Sequence, residues 1–257
     1  FFKKKLKFTE RFVIATIGIA THGLLDSCTS YGTLLFWPIS DKRVAWDVIS
    51  IIDPVFTFVT IFFLFLVYKY KSKIIMFSCV AWVFLYLSFG YIQKQRVTAA
   101  LNNVIENRGH LSIKSTVKPS IGNLFLWRSI YEFEGYYYVD AIRVLIEKKI
   151  CPGDRIVKFE FNAHLPNLNK ESQQSKDIDR FKWFSNDYMA FEPKLNYIID
   201  VRYSLVPNKT SPLWGVVIDT NKKNEAHIEW KTNRNLNQRN WLAFISLLKG
   251  EKCKLIK

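Results

Sequence analysis

Three long apolar segments in the first 93 residues constrain the fold of this chain more than any other feature. They run over residues 12–25, 48–68 and 74–91, with short polar connections between them. A helix needs about 20 apolar residues to cross ~30 Å of hydrocarbon. We therefore predict a membrane α-helical bundle of about three transmembrane helices over residues 1–93, although Asp53-Pro54 interrupts the second segment early.

Basic residues mark one side of this predicted bundle. They are concentrated at the start of the chain and in the turn between the second and third segments: Lys3, Lys4, Lys5, Lys7, Arg11, Lys69, Lys71 and Lys73. Because cytoplasmic loops carry an excess of Lys and Arg, we expect both regions in the cytoplasm. Everything after Tyr91 is then expected outside. The chain begins with Phe rather than Met, so it could be a fragment that lacks an upstream part.

From residue 94 the pattern is typical of a water-soluble domain. Apolar residues recur at helical spacing up to residue 105, which predicts that the third helix continues to about Asn107. Strand-like runs follow over residues 125–133, 136–145, 155–161, 197–205 and 213–218. Glu134-Gly135 indicates a hairpin turn, residues 167–180 a mobile loop, and residues 240–248 a closing helix. Residues 94–257 are thus predicted to form a soluble α+β domain with a mostly antiparallel sheet.

The charge of the chain favours a membrane surface over a nucleic acid as its partner. The formal net charge is +15, but the bases are scattered and match no nucleic-acid-binding motif, so no nucleic-acid partner is expected. A basic membrane protein beside anionic membrane lipid explains the charge. The four cysteines have no C-x-x-C spacing; Cys151 and Cys253 could form a disulfide, and the redox compartment stays open.

The acidic residues of the membrane half are concentrated in one stretch, and His22 lies just before it. Asp26, Asp41, Asp47 and Asp53 are four of the five acids in residues 1–93. His22 and Asp26 are four residues apart, so on a helix they share a face. Imidazole and carboxylate are ligands for zinc or a similar divalent ion, and Asp47 begins the second segment at the same membrane face. We predict His22, Asp26 and Asp47 as metal ligands and Asp53 as a general base.

Structural roles also explain the same residues, and these alternatives stay open. His22 could hydrogen-bond a neighbouring helix, and Asp26 could pair with Lys42 or Arg43. Asp53 is followed by Pro54, a pattern typical of a helix N-cap with proline at the first helical position. Asp41 lies in a solvated turn and is not expected to bind the metal.

The run Thr21-His22-Gly23-Leu24-Leu25-Asp26-Ser27-Cys28-Thr29-Ser30-Tyr31-Gly32-Thr33 resembles the YdjM-like family of bacterial inner-membrane proteins, which are described as metal-dependent hydrolases and as LexA-regulated or LexA-binding. The similarity continues through Trp37-Pro38, Asp47 and Ile52-Asp53-Pro54. The similarity extends into the soluble part through the runs 123–128 and 180–185, so we expect the resemblance to cover most of the chain. The resemblance implies metal-dependent hydrolysis at the membrane, with His22 and Asp26 as ligands.

One block that is typical of this family, an upstream H-R-G-x-T-H-S sequence, has no counterpart in the chain. If its histidines complete the site, these residues hold only part of it. We therefore expect a membrane-embedded metal-dependent hydrolase that acts at the bilayer surface on a lipid-linked or phosphoester substrate. The rival hypothesis is a non-catalytic membrane scaffold or partner-binding protein, in which the polar residues only hold helices together.

Overall fold

A computed structural model describes residues 7–193, 197–234, 237–251 and 253–256. The predicted basic residues Lys3, Lys4 and Lys5 lie outside the described residues. The chain divides into two compact units. The first comprises the residues up to Arg96 together with Lys118–Phe125, and the second comprises Val97–Val117 and Leu126–Lys257.

The first unit contains three helices at the predicted apolar segments. They are α1 (Phe8–Cys28), α2 (Pro54–Tyr70) and α3 (Lys73–Asn107), of which the last continues into the second unit. Among the described residues, α3 alone is both long and apolar enough to qualify as a membrane span by length and composition. The shorter α2 is apolar but has 17 residues. One candidate span is therefore supported where the sequence predicted about three.

The ends of these helices follow from their capping residues. Glu10 accepts a hydrogen bond from the Lys7 N–H at the start of α1. Helix α2 begins at Pro54, which has no N–H to satisfy, and ends at Tyr70, where the next residue, Lys71, caps it in the left-handed conformation. The predicted extension of the third helix to Asn107 is confirmed. At ~1.5 Å per residue its 35 residues extend over roughly 52 Å, more than a ~30 Å hydrocarbon core requires.

The second unit is an α+β structure with two sheets, and the strand pairs described below are antiparallel, as predicted. The first sheet has the order β1-β2-β3-β4-β10, with β5 paired to β3. Its strands are β1 (Lys114–Pro119), β2 (Leu126–Phe133), β3 (Tyr136–Val144), β4 (Lys148–Cys151), β5 (Arg155–Val157) and β10 (Lys254–Leu255). Glu134 and Gly135 both have positive φ in the β2–β3 hairpin, which confirms the predicted tight turn.

The second sheet has the order β6-β7-β8-β9, and helices cover part of this unit. Its strands are β6 (Met189–Glu192), β7 (Tyr197–Asp200), β8 (Trp214–Val217) and β9 (Glu229–Thr232). The helices are α4 (Phe161–His164), α5 (Gln173–Phe184) and α6 (Gln238–Lys249). Helix α6 confirms the predicted closing helix. The loop predicted over residues 167–180 is wrong in its second half, which is the first part of α5.

A disulfide and a buried core stabilise the second unit. Cys151 on β4 is bonded to Cys253, beside the short terminal strand β10. Ile178 and Phe181 of α5 pack with Ile198 and Val216 in one cluster of buried apolar residues. A second cluster joins the α6 residues Phe244 and Leu247 to the β-strands. Helix α5 thus packs against the second sheet and helix α6 against the first.

Candidate metal centre

His22 and Asp26 lie one turn apart near the end of α1, as the sequence predicted. The His22 Nε2 atom is 3.4 Å from the Asp26 Oδ2 atom, and the two side chains are 75% and 49% exposed. The helix ends just beyond them, where the Thr29 hydroxyl donates to the Asp26 carbonyl at 2.7 Å. This leaves the carboxylate of Asp26 and the imidazole of His22 beside each other on an accessible surface.

The segment that contains Asp47 packs against the end of α1. Trp46 N donates to Ser27 O at 2.7 Å, and Val48 N donates to Cys28 O at 2.9 Å. Gly90 of α3 allows this approach, because a Cβ at Gly90 would lie 2.5 Å from the Val48 carbonyl oxygen. Asp47 is therefore near the end of α1 as expected, but it lies in the connection before α2, with a positive φ, rather than beginning that helix.

The carboxylate of Asp47 is engaged by a lysine that the sequence analysis did not single out. Lys118 Nζ lies 2.6 Å from Asp47 Oδ1 and also donates to Ser30 O at 3.1 Å. Both side chains are buried, with 6% and 10% exposure for Lys118 and Asp47. The Lys118 ammonium group thus occupies the position beside Asp47 that a metal ion would take. The metal-ligand role predicted for Asp47 stays a prediction, and it requires Lys118 to move away.

Asp53 caps the start of α2, which confirms the structural alternative. Its Oδ1 accepts from the Phe56 N–H at 3.0 Å, and Pro54 occupies the first helical position. Its Oδ2 accepts from the Tyr86 hydroxyl of α3 at 2.8 Å. Because both oxygens accept hydrogen bonds, Asp53 joins the start of α2 to α3. The general-base role predicted for Asp53 is not excluded by these contacts and stays a prediction.

In the part of the chain that the structure describes, no group of three or more His, Cys, Asp or Glu side chains could hold a metal ion. His22 and Asp26 are brought together, whereas Asp47 and Asp53 have protein partners. The described residues thus offer two adjacent ligands, one fewer than the three protein ligands of a typical catalytic zinc site.

The second unit contains a partly buried polar network that sequence reasoning missed. Arg108 donates to both carboxylate oxygens of Asp140, at 2.6 and 3.1 Å, and to the Tyr131 hydroxyl at 2.9 Å. His110 Nδ1 lies 2.9 Å from the same hydroxyl, and its ring stacks on Phe133 at 4.1 Å. Burial lowers the pKa of Arg108, but Asp140 and Tyr131 outweigh it and the pKa is raised. The network fixes the segment after α3 against β2 and β3.

A carboxylate–imidazole pair connects α5 to the strand β9 region. His227 Nδ1 lies 2.8 Å from Asp177 Oδ2, while the Gln173 side chain donates to Asp177 Oδ1 at 2.9 Å. Burial by itself raises the pKa of Asp177, but the hydrogen bonds from Gln173, His227 and the Ile228 N–H outweigh it, so the pKa lies below its ordinary value. The His227 side chain is 70% exposed, whereas that of Asp177 is 9% exposed, so the pair lies at the surface.

Comparison with known families supports the resemblance drawn from the membrane half. Residues 2–97 match the model of the YdjM inner membrane protein family. The match ends before the runs 123–128 and 180–185, so the similarity expected there stays a prediction. No curated protein and no solved structure matches the chain.

Proposed function

We propose that this chain, whose residues 2–97 match the YdjM inner membrane protein family, is a membrane-embedded hydrolase that uses a divalent metal ion. In this proposal His22 and Asp26 bind the ion, with zinc as the expected metal. The substrate is a lipid-linked or phosphoester compound at the bilayer surface.

The observation that carries this proposal is the geometry of His22 and Asp26. One turn of α1 places an imidazole nitrogen and a carboxylate oxygen 3.4 Å apart on an exposed surface. A neutral imidazole and a carboxylate are both suitable ligands for zinc, and an ion between them needs only small side-chain rotations. The family resemblance implies that upstream histidines supply further ligands. A bound divalent ion activates water for hydrolysis, which is the chemistry the proposal requires.

The contacts of Asp47 and Asp53 support positioning roles within this proposal. The Lys118 ion pair holds the segment 46–49 against the end of α1, where His22 and Asp26 lie. Asp53 fixes the start of α2 through its capping bond. These two acids would keep the backbone around the ligands rigid, which a metal site needs to keep its ligand geometry.

We further propose that α1 and α2 also cross the membrane. No residue of α2 is buried, and large apolar side chains such as Phe58, Phe62 and Phe65 are more than half exposed. A helix that is apolar on all sides requires an apolar solvent. The family name, inner membrane protein, supports the same environment.

The second unit is proposed to lie on the extracytoplasmic side. The turn between α2 and α3 carries Lys69, Lys71 and Lys73, which favours a cytoplasmic position for that turn. The Cys151–Cys253 disulfide supports an oxidising compartment for the second unit, because such bonds are rare in the cytosol.

Reporter fusions after residue 257 test this orientation. Alkaline phosphatase, which is active only in the periplasm, should be active in such a fusion. Activity of a reporter that works only in the cytoplasm would contradict this orientation.

A second candidate function, a non-catalytic membrane scaffold, is favoured by one specific observation. Asp47 forms a buried ion pair with Lys118, and Asp53 bonds Tyr86 and the start of α2. Two of the four predicted site residues thus have partners that explain their presence without a metal. In this alternative His22 and Asp26 form only a surface pair.

The metal content of the full-length protein, purified in lipid nanodiscs, separates the two functions. A hydrolase of this kind should retain about one zinc or similar ion per chain, and Asp26→Asn should lose most of it. Asp41→Asn is the matched control, because Asp41 is an exposed acid of the neighbouring connection and is not expected to bind the ion. Protein without bound metal, or equal metal content in both variants, would end the hydrolase proposal and leave the scaffold.

A further inference from the structure

Strand β9 forms an open edge of the second sheet. The order β6-β7-β8-β9 ends with it, and all four of its residues, Glu229–Thr232, are exposed. An open edge presents a row of backbone N–H and C=O groups that can pair with another strand. Only the backbone groups of β9 that point away from β8 are available for such pairing.

The register of β8 and β9 determines which backbone groups of β9 point outward. Trp230 lies opposite Val216, and Thr232 lies opposite Trp214. One pair further on, Asn233 N donates to Leu213 O at 2.8 Å, so Leu213 and Asn233 form a hydrogen-bonded pair. Antiparallel pairs alternate between hydrogen-bonded and non-hydrogen-bonded. Trp230 is three residues before Asn233, so the Trp230–Val216 pair is non-hydrogen-bonded. The backbone N–H and C=O of Trp230 therefore point away from β8.

The side chains of β9 divide between the two faces of the sheet. Trp230 lies edge-on to Phe181 and Phe184 of α5, with ring centroids 5.8 Å apart in both pairs, yet it stays 50% exposed. Glu229 and Lys231 lie on the other face, with Lys231 Nζ 3.6 Å from Glu229 Oε1. The edge thus presents a half-covered tryptophan between two opposite charges.

We propose that β9 pairs antiparallel with β9 of a second copy of this chain, centred on Trp230. In that register the Trp230 residues of the two copies lie opposite each other and exchange two backbone hydrogen bonds. Glu229 of each copy then lies opposite Lys231 of the other, so two cross-strand ion pairs form. The tryptophan surface left open in one copy is covered by the same surface of the other.

Charge complementarity favours a second copy over an unrelated strand. Charges on an edge strand normally prevent pairing with other chains. Here the two charges have opposite sign and flank the central residue symmetrically, so the sequence 229–231 is complementary to itself in the antiparallel direction. Other strands would have to match this same charge order. The interface goes beyond the proposed hydrolase function and depends on no part of it.

The test is a charge exchange in the full chain, reconstituted in lipid vesicles with donor-labelled and acceptor-labelled copies mixed. Energy transfer between the labels measures association. Lys231→Glu places acids opposite acids, and Glu229→Lys places bases opposite bases, so each variant alone should self-associate about tenfold more weakly, since two pairs change from attractive to repulsive. The double variant Glu229→Lys/Lys231→Glu should regain wild-type transfer.

A mixture of the two single variants gives the sharpest result. An edge with two acids is complementary to an edge with two bases, so the mixture should transfer energy as efficiently as the wild type. This recovery also shows that both variants are folded. Lys170→Glu, an exposed lysine with the same charge change elsewhere, is the control and should associate normally. A monomeric wild type, or a mixture no better than either variant alone, would overturn the proposal.

Discussion

Replacing Asp47 by Asn should destabilise the chain more than the loss of one surface charge would suggest. The substitution keeps the size of the side chain but removes the carboxylate charge beside Lys118, whose side chain is only 6% exposed. Removing one member of a buried ion pair typically costs about 3–5 kcal/mol. Asp47 has φ of +50°, a conformation that Asn tolerates well, so backbone strain adds little to this cost.

The effect is measurable as a fall in the thermal unfolding temperature of the purified protein in micelles. For a chain of this size, ~3 kcal/mol corresponds to a decrease of about 10 °C. Asp154→Asn is the matched control. Asp154 also pairs with a lysine, Lys209, at 3.1 Å, but both side chains are about half exposed, and such pairs contribute about 0–1 kcal/mol.

A double substitution checks the physical reason. Asp47→Asn/Lys118→Met removes both charges, so it should recover much of the stability that either single substitution loses. If Asp47→Asn lowered the unfolding temperature no more than Asp154→Asn, the buried Asp47–Lys118 pair would not be the source of this stability. The same conclusion would follow if the double variant lost as much stability as the two single variants together.

Three further substitutions, one of them with a matched control, test other contacts in thermal or denaturant unfolding. Asp53→Ala removes the cap of α2 and should cost about 1–2 kcal/mol, and a neutral result would contradict the capping role. Gly90→Ala should cost about 1–3 kcal/mol, because its Cβ meets the Val48 carbonyl, whereas Gly18→Ala, with open space around it, should not destabilise α1. Asp177→Asn should cost about 1–2 kcal/mol near pH 7. Since the pKa of Asp177 is lowered in the folded protein, this stabilisation is present above the unfolded pKa of about 3.9 and disappears as the pH falls through the folded pKa, so the two proteins should converge in acid.

Periodicity and local turn chemistry predicted the elements whose causes lie within a few residues. The apolar repeat around Val97–Ile105 extended α3 to Asn107, and its residues Val97, Leu101 and Val104 are buried as that repeat requires. Glu134-Gly135 fixed the β2–β3 register, and Asp53-Pro54 marked the start of α2. Each of these signals is local, which is why the sequence alone was sufficient.

Helix α5 shows where local signals failed. Its sequence is polar, so residues 167–180 appeared to be a loop, yet Gln174, Ser175 and Asp177 are buried. Their polar groups have distant partners: the Gln174 side chain donates to Asp219 O at 2.9 Å and accepts from Asp219 N at 3.1 Å. Burial of polar side chains is acceptable when each is hydrogen-bonded, but the partners lie 45 positions away and leave no trace in the pattern.

The candidate site was only partly predictable for the same reason. A carboxylate near a membrane helix can bind a metal, accept a capping hydrogen bond or pair with a lysine, and the three roles require the same residue type. Helical spacing was enough for His22 and Asp26, because their contact lies within one turn. For Asp47 the deciding residue, Lys118, is 71 positions away in a different segment. An ammonium and a divalent ion both neutralise a buried carboxylate, so the sequence could predict that Asp47 needs a cation but not which one it has.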